Sequence, residues 1–407
     1  MTYQDRFDLY PRKARGGKKI WYYRVYDEHG SRSSGKTTHQ TRKTAARQFV
    51  INLIKKGALI TKENPTFEEY ARDWWIWEKC GYISRKLARG KIITRTYADT
   101  MRSYTVNHIL PFFGPLRIQK ITSAMVEDWL FGLMEKPGPR GNITAITANN
   151  VLRALKIMLS EAKKRGYLYE DPAANIEPLE EKPPKKGILS IEEVKLLFRE
   201  NIIEKIWGGD LRHYTLNLTA AATGARMGEL QALTIHHIHE NFITIAYSWS
   251  RRYGLKSTKT NQVREVPIPK RVSSCLRELT SLSPFQDPED LVFIQDRYIP
   301  IGNELISKRL YRAFSAIGIS EEQRRERNIT FHSWRYWFNS MLRTRVHDSK
   351  LQRLTGHKTE EMTDRQGQFR NCKIVKEHAC ASADLFLFSG EDGSQSQPRP
   401  PQGASYN

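Results

Sequence analysis

The chain has 407 residues, more than a single hydrophobic core usually organises, so we expect two or three domains. Its 66 Lys plus Arg exceed its 44 Asp plus Glu and leave a net charge of +22. Such a surplus favours a polyanionic partner, with nucleic acid as the first candidate. The N-terminus is polar and the sequence has no apolar run of about 18 residues, which excludes a membrane-spanning segment and predicts a cytoplasmic protein.

The four cysteines are scattered along the chain, which argues against a disulfide framework and predicts reduced thiols. Cys372, His378 and Cys380 lie close together in sequence, but their spacing matches no zinc module. The sequence also shows no cluster of carboxylates suited to binding two magnesium ions. We therefore expect neither a metal nor a cofactor.

Residues 1–64 hold 15 Lys plus Arg against 5 acids, so this segment carries 15 − 5 = +10 of the net charge. Ile20–Tyr26 is aromatic and β-branched, Asp27–Gly30 is a turn signal, Ser31–Thr41 is a second extended stretch, and Arg42–Lys56 has a helical pattern. This order predicts a small sheet with one helix packed across it.

The alternation within Ile20–Tyr26 predicts two different faces of that sheet. One face, formed by Trp21, Tyr23 and Val25, is expected to pack on the helix. The other face is expected to meet DNA, because a two-stranded ribbon fits a major groove; its residues are Tyr22, Arg24 and Tyr26. The alternatives are the reverse assignment of faces, or a structural or protein-contact role for the whole unit.

From Pro65 the pattern becomes helical, and Thr66-Phe-Glu-Glu69 is a capping box ahead of Trp74, Trp75 and Trp77. Further helices are predicted over Tyr97–Leu110, Ser123–Glu135 and Ile146–Arg165. These four helices predict a compact bundle over residues 65–176. Basic residues that would either contact phosphates or line a solvated helix face are Arg85, Lys86, Arg89, Lys91, Arg95 and Arg102.

Glu177–Gly187 is charged, contains prolines and lacks periodicity, so it predicts an interdomain linker. Ser190-Ile-Glu-Glu193 is a second capping box. Between residues 188 and 388 helical and short strand signals alternate, which predicts an α-rich domain with a small antiparallel sheet. Residues 389–407 are rich in Ser, Gly, Gln and Pro and predict a disordered tail. The expected fold class is thus multidomain and mainly α.

A glycine-containing segment in this third region carries the first charged pair of interest. Ala220–Leu233 (AAATGARMGELQAL) places Arg226 at the start of a helix and Glu229 one turn later. Taken alone, such a pair is more often a structural ion pair than a site.

Two further segments carry histidines beside an arginine or a glycine. Ile329–Phe338 (ITFHSWRYWF) places His332 and Arg335 three residues apart, which predicts one shared helical face. Leu354–Lys358 (LTGHK) places His357 after a glycine, where a turn would expose its ring.

In order, spacing and local sequence, these three segments resemble the tyrosine recombinase (phage integrase) family, over roughly residues 65–370. TGARMGEL is similar to the family's first box, HSWR to its His-x-x-Arg box, and LTGHK to its Leu-Gly-His box. The family also has a lysine in a hairpin between the first two boxes, and Gly254–Pro269 resembles that hairpin. Lys259 is the matching lysine, with Lys256 as the alternative.

The resemblance implies a metal-free attack on a DNA phosphodiester. The residues expected around the reacting phosphate are Arg226, Lys259, His332, Arg335 and His357. The guanidinium groups would neutralise the charge that builds on the phosphate oxygens. The lysine would act as general acid to the leaving 5′ oxygen, and the histidines would donate to the phosphate or shuttle protons. Glu229 would orient Arg226 or a neighbouring histidine.

The family's nucleophile is a tyrosine, but Gln366 stands at that position, nine residues after His357. A glutamine amide is not nucleophilic and cannot form the covalent phosphotyrosine intermediate. The sequence has no tyrosine between Tyr336 and Tyr406 to replace it. We therefore expect the chain to bind recombination sites without cutting them. Gln366 is either an introduced substitution, which the intact set of cations favours, or a natural change.

The resemblance also implies a set of partners. These are double-stranded DNA attachment sites, other copies of this chain in a tetramer at synapsis, and a DNA-bending accessory protein as a candidate. The helical domain would clamp the core site, and the N-terminal unit would be an arm-type DNA-binding module. The apolar segment Leu385–Phe388 would dock into a neighbouring protomer, with packing in cis as the alternative. A non-catalytic accessory DNA-binding protein and a type IB topoisomerase are the other functions considered.

Overall fold

The structure is a computed structural model, and it describes residues 7–13, 17–26, 32–55, 64–138, 141–182, 186–199, 201–257, 263–343 and 347–355. The chain divides into two compact units, Met1–Pro183 and Pro184–Asn407. Both units combine helices with small antiparallel sheets, and helices predominate, which confirms the predicted fold class. Among the described helices, none has the length and apolarity needed to cross a membrane.

The N-terminal part of the first unit is a three-stranded antiparallel sheet with one helix. Its elements are β1 (Phe7–Lys13), β2 (Lys19–Val25), β3 (Lys36–Gln40) and α1 (Lys43–Lys55), and β2 is the central strand. Tyr23 and Val25 are buried against Val50 of α1, as the alternation predicts, whereas Trp21 is only half-buried. β1 was not predicted, and the predicted two-stranded ribbon is wrong because the sheet has three strands.

The rest of the first unit is helical. It consists of α2 (Phe67–Ala71), α3 (Gly81–Ala88), α4 (Arg95–Tyr104), a π-helical turn (Thr105–Ile109), α5 (Leu110–Phe113), a 3-10 turn (Ile118–Lys120), α6 (Ser123–Glu135), the two-residue strands β4 (Pro137–Gly138) and β5 (Gly141–Asn142), and α7 (Ala145–Lys164). The capping box at Thr66 is confirmed, and α6 and α7 lie within one residue of the predicted bounds. The predicted count of four helices omitted α3 and the separate short α5.

The first of these helices is shorter than its aromatic pattern suggested. α2 ends at Ala71, and the backbone of Trp75 adopts a φ of +64°, which a helix does not allow. Arg102 binds the carbonyls of Ala71, Arg72 and Trp74 at 3.1–3.3 Å. Its guanidinium therefore satisfies chain oxygens at the end of α2, and the predicted phosphate contact of Arg102 is unsupported.

The second unit contains nine described helices and six described strands. They are α8 (Ile191–Phe198), α9 (Ile203–Trp207), α10 (Leu211–Thr223), α11 (Met227–Gln231), a 3-10 turn (Ile235–His237), β6 (Phe242–Ile245), β7 (Tyr247–Ser250), β8 (Gly254–Ser257), β9 (Arg264–Pro267), α12 (Lys270–Ser281), β10 (Ile294–Asp296), β11 (Ile299–Pro300), α13 (Asn303–Ala316), α14 (Glu321–Glu326), α15 (Ser333–Arg343) and α16 (Asp348–Thr355). The capping box at Ser190 is confirmed.

The strands of this unit form three antiparallel pairs, β6 with β9, β7 with β8, and β10 with β11, among the described residues. The sequence analysis predicted one small sheet. Gly254–Pro269 contributes β8 to one pair and β9 to another, so it is not a single hairpin.

The central helix of the second unit is α10. It is buried from His213 onward and packs against α12 and α15. Its threonines Thr219 and Thr223 donate to carbonyls one turn earlier, at 2.7 and 2.6 Å, so these two buried hydroxyl groups are satisfied. The helix ends at Gly224, whose φ of +60° is the left-handed conformation of a helix C-cap. This ending places the following residues at one edge of the core.

Candidate functional site

The turn between α10 and α11 is shaped by Gly224. A Cβ on this residue would lie 2.6 Å from Cδ1 of Phe338, so no larger side chain fits beside α15. Two residues later Arg226 is the N-cap of α11, and its backbone N–H donates to Oε2 of Glu229 at 2.9 Å. The local sequence thus places Arg226 at the N-terminus of α11, as predicted.

The second glycine of the same segment, Gly228, allows close contact with the β7–β8 hairpin. A Cβ there would lie 2.8 Å from both Oγ of Ser248 and the carbonyl oxygen of Trp249. The two glycines of TGARMGEL therefore serve contacts with distant parts of the chain, namely α15 and β7.

Glu229 is a buried carboxylate shared by two arginines, and its side chain is only 2% exposed. Arg226 Nη1 donates to Oε1 at 2.9 Å, and Arg264 donates from Nη2 to Oε2 at 2.6 Å and from Nη1 to Oε1 at 3.3 Å. Burial raises the pKa of Glu229, but the charges of Arg264 and Arg226 outweigh burial and hold that pKa below its usual value. The carboxylate is therefore ionised at neutral pH.

Arg335 lies in the first turns of α15 and is 1% exposed. Its Nη1 donates to the carbonyl of Gly224 at 2.8 Å, and its Nη2 donates to the carbonyl of Thr355 at 2.5 Å. Burial, with a smaller contribution from Arg226, lowers the pKa of Arg335 to about 9, so it keeps its charge at neutral pH. The structure brings the two arginines of the first and second boxes together around one turn.

His332 directly precedes α15, which starts at Ser333, and its side chain is exposed while Arg335 is buried. The prediction that the two residues share one helical face is therefore wrong. Although solvent reaches the ring, the surrounding protein removes much of its hydration. This desolvation, followed by the charges of Arg335 and Arg226, lowers the pKa of His332 to about 4. The ring is neutral in the unliganded protein at neutral pH.

Three of the predicted residues, Lys259, His357 and Gln366, lie outside the described residues. Their roles stay predictions. The alternative lysine, Lys256, is exposed on β8. Within the described part of the chain, no group of three or more His, Cys, Asp or Glu residues is placed to hold a metal ion.

Sequence reasoning missed two basic residues of this region. Arg264 pairs with Glu229 across 35 positions of sequence, a distance over which no local pattern operates. Lys186 donates to Oδ1 of Asn328 at 3.0 Å, and its charge also lowers the pKa of His332. The only sequence signal for Lys186 is the positive charge of Pro183–Gly187, a segment that the sequence predicts to be part of the linker.

The predicted DNA-facing side of the N-terminal sheet is partly occupied by its own contacts. Arg24 lies over the Tyr10 ring at 4.4 Å, Arg12 lies over the Tyr22 ring at 5.2 Å, and the Tyr26 hydroxyl donates to Asp8. Tyr22, Arg24 and Tyr26 are all half-buried. The face is thus cationic and aromatic, with the arginines stacked rather than extended.

The basic residues around α3 differ in what they contact. Arg85 pairs with the largely buried Glu161 at 2.5 Å, and Lys86 lies over the Tyr82 ring at 5.4 Å. Arg89 and Lys91 are exposed in the connection to α4. Arg95 is exposed, pairs with Glu78 at 3.5 Å and lies over the Trp77 ring at 5.6 Å. Arg85 therefore has a largely buried partner, whereas the side chains of Arg89 and Lys91 are exposed.

The fold resembles solved integrases. The Tn1549 transposon integrase in complex with a circular intermediate DNA matches 74% of this chain and 98% of its own at 19% identity, with a TM-score of 0.57. A lambda integrase tetramer bound to a Holliday junction matches 90% of this chain and 96% of its own at 16% identity, with a TM-score of 0.55. A lambda integrase dimer bound to a COC′ core site matches 90% and 95% at 18% identity, with a TM-score of 0.51. At identities of 16–19%, these matches show that the chain shares the fold of these integrases.

Family models match both units of the chain. Residues 193–366 match the phage integrase family, and residues 89–134 match the phage integrase N-terminal SAM-like domain. No curated protein sequence gives a significant match. The first of these segments lies in the unit that holds Arg226, Glu229 and Arg335, and the second lies in the helical part of the first unit. The chain therefore carries the domains of the phage integrase, or tyrosine recombinase, family.

Proposed function

We propose that the chain acts in site-specific recombination, the integration or excision of a mobile element by breakage and rejoining of DNA strands. The observation that carries this proposal is the placement of Arg226 and Arg335 around the Gly224 turn. Together with Arg264 and Glu229 they sum to 3 − 1 = +2 in a largely buried site. Preorganised guanidinium groups of this kind stabilise the charge that develops on a phosphate under attack.

The other predicted residues complete this chemistry without a metal. Lys259 would protonate the leaving 5′ oxygen, since an ammonium can give up a proton more readily than a guanidinium. His332 would enter the reaction neutral and donate from its ring N–H to the phosphate, because its pKa in the free protein is about 4. His357 would provide a second donor.

The chain as it stands is proposed to bind DNA but not to cleave it. The match to the phage integrase family extends to residue 366, where the resemblance places the nucleophile and the sequence has Gln366. An amide has no acidic proton and no nucleophilic oxygen at neutral pH, so no covalent protein–DNA intermediate forms.

The proposed partners are double-stranded attachment sites and further copies of the chain, which would form a tetramer at synapsis, with a DNA-bending protein as a candidate accessory. The solved relatives support this choice, since they were captured on a circular intermediate DNA, a core site and a Holliday junction. Docking of Leu385–Phe388 in trans belongs to the same proposal. A chain truncated at Asp384 that still assembles cooperatively on DNA would contradict that docking.

Covalent trapping tests the catalytic part of the proposal. A duplex selected by the full chain from a random-sequence pool would be synthesised with single nicks, and adducts would be resolved on a denaturing gel. We expect an adduct with Gln366→Tyr and none with the present chain or with Gln366→Phe, which has the ring but no hydroxyl. An adduct with the present chain would show that Gln366 does not mark the nucleophile position.

The same experiment weighs the alternative of a non-catalytic accessory protein, which Gln366 itself favours. If Gln366→Tyr binds the selected duplex but forms no adduct, the phosphate site is not competent and the accessory role becomes the better account. Relaxation of a plasmid that lacks the selected sequence, again with Gln366→Tyr, would instead indicate a type IB topoisomerase.

A further inference from the structure

Arg264, the first residue of β9, is a buried arginine that the sequence boxes do not contain. Its side chain is 7% exposed. Two of its nitrogens bind both oxygens of Glu229, and its Nε donates to the carbonyl of Leu354 at 2.9 Å. Because this guanidinium is buried and all three of its nitrogens are hydrogen-bonded within the domain, it cannot contact DNA directly. Any role in phosphate chemistry must therefore act through its neighbours.

We propose that Arg264 is a positioning residue that keeps Arg226 oriented and electrostatically available for a DNA phosphate. The proposal rests on the proposed function, because it assumes that Arg226 binds that phosphate. It adds a residue whose removal should affect phosphate binding without any contact between that residue and DNA.

Arg264 changes the net charge around Glu229 and Arg226. Without Arg264 the Glu229–Arg226 pair would be neutral, and the charge of the site with Arg335 would fall from +2 to +1. Arg264 adds a second positive charge beside the carboxylate, so the three groups sum to 2 − 1 = +1. The positive charge of Arg226, which is 24% exposed, is then available to a phosphate.

Arg264 also helps to fix the position of the Glu229 carboxylate. Glu229 accepts four hydrogen bonds, two from Arg264 and two from the side chain and backbone of Arg226. The bidentate pair fixes the plane of the carboxylate, and the carboxylate in turn fixes the guanidinium of Arg226. Without Arg264 the carboxylate would keep only the two hydrogen bonds from Arg226, so its position and that of the Arg226 guanidinium would be less firmly fixed.

Arg264 also contacts the end of α16. Arg264 binds the carbonyl of Leu354, and Arg335 binds the carbonyl of the next residue, Thr355. Two buried arginines therefore hold consecutive carbonyls at the entry to the LTGHK segment. One of them also contacts Glu229 and the other contacts the Gly224 turn. Arg264 thus joins the first and third boxes through a single side chain.

The test uses the present full chain and measures binding, so cleavage is not needed. The probe is the duplex selected from a random pool, made as a series in which each phosphate in turn is replaced by an uncharged methylphosphonate. The affinity ratio of parent to replaced duplex measures how strongly the protein uses each phosphate charge. The phosphate whose ratio falls to one in Arg226→Ala is the one that Arg226 binds.

Arg264→Met is expected to lower the ratio at that phosphate by roughly tenfold or more, the size of effect known for groups that orient a metal ligand. Ratios at the other phosphates should not change. Adding Glu229→Gln to Arg264→Met should recover part of the ratio, because it removes the negative charge that cancels Arg226. A purely structural role would give no such recovery.

Arg324→Met is the matched control. Arg324 also binds both oxygens of a glutamate, Glu321, and a backbone carbonyl, that of Ile329, so its loss removes the same contacts elsewhere in this unit. It should leave the ratio unchanged. If no phosphate depends on Arg226, the proposed function fails; if one does and Arg264→Met leaves its ratio intact, only the role of Arg264 is overturned.

Discussion

Arg335 donates to the carbonyl of Gly224 at 2.8 Å, so it is anchored on the turn that positions Arg226. Because the acceptor is a backbone oxygen, this hydrogen bond does not depend on the side chains of the turn. It depends instead on the backbone path of that turn, which only a residue tolerant of positive φ adopts without strain.

Gly224→Ala should therefore destabilise the second unit strongly. The added methyl group meets the ring of Phe338 at 2.6 Å in a backbone conformation with positive φ, and we expect a loss of more than about 2 kcal/mol. Gly318→Ala is the control, because Gly318 also has positive φ but nothing within 4 Å of its added Cβ. That variant should lose only about 1 kcal/mol. Equal urea midpoints for the two variants would contradict the packing argument.

Gly228→Ala should also destabilise the protein, by about 1–3 kcal/mol, because its methyl group would press on the backbone and Ser248 of β7. Gly132→Ala in α6 is the opposite case. Nothing lies within 4 Å of its added Cβ, so alanine should be neutral or stabilise the helix by up to about 1 kcal/mol. Thermal unfolding of both variants checks the pair, and a stabilising Gly228→Ala would refute the close contact.

His332 should make the protein less stable in mild acid. Its pKa falls from the usual 6.5 to about 4 on folding, so between these pH values the unfolded chain binds a proton that the folded protein does not. This contribution to the free energy of unfolding is complete above pH 6.5 and is lost as the pH falls towards 4. His332→Gln should flatten the dependence in that window, measured as the urea midpoint against pH. Parallel curves for parent and variant would show that the ring titrates normally.

Lys91 and Arg85 should separate DNA binding from stability in the first unit. Lys91→Ala should weaken binding to the selected duplex and lower the slope of log affinity against log salt by about 1, with no change in thermal stability. Arg85→Ala should instead lower stability, because it leaves the largely buried Glu161 with a weaker set of partners. A salt slope that changes only in Arg85→Ala would reverse this assignment.

Local signals in the sequence located several helix starts and the bounds of α6 and α7. The capping boxes at Thr66 and Ser190 are made by residues three apart, so four neighbouring residues suffice to identify them. The helix start at Arg226 is local in the same way. The strand β1 was missed because Pro11 and the adjacent basic residues look like a loop. Pairing with β2 at the edge of the sheet determines its structure, and a proline is tolerated there.

The site was predictable only in part, since the boxes name residues but not how they meet. That Arg226, Glu229 and Arg335 would lie together followed from the resemblance, and the structure brings them together. The contacts of Arg264 with Glu229 and Leu354 join residues 35 and 90 positions apart, so no periodicity or spacing reveals them. The burial of Arg335 against the exposure of His332 likewise depends on where α15 begins.

The contact of Gly228 with β7 also limits how the β7–β8 hairpin can move. The backbone of α11 lies against Ser248 and Trp249, so this part of β7 cannot close further onto that helix. The hairpin can therefore only swing away from α11. A pair of fluorescent probes on α11 and the tip should accordingly report distances at or above the resting one, whatever DNA is added.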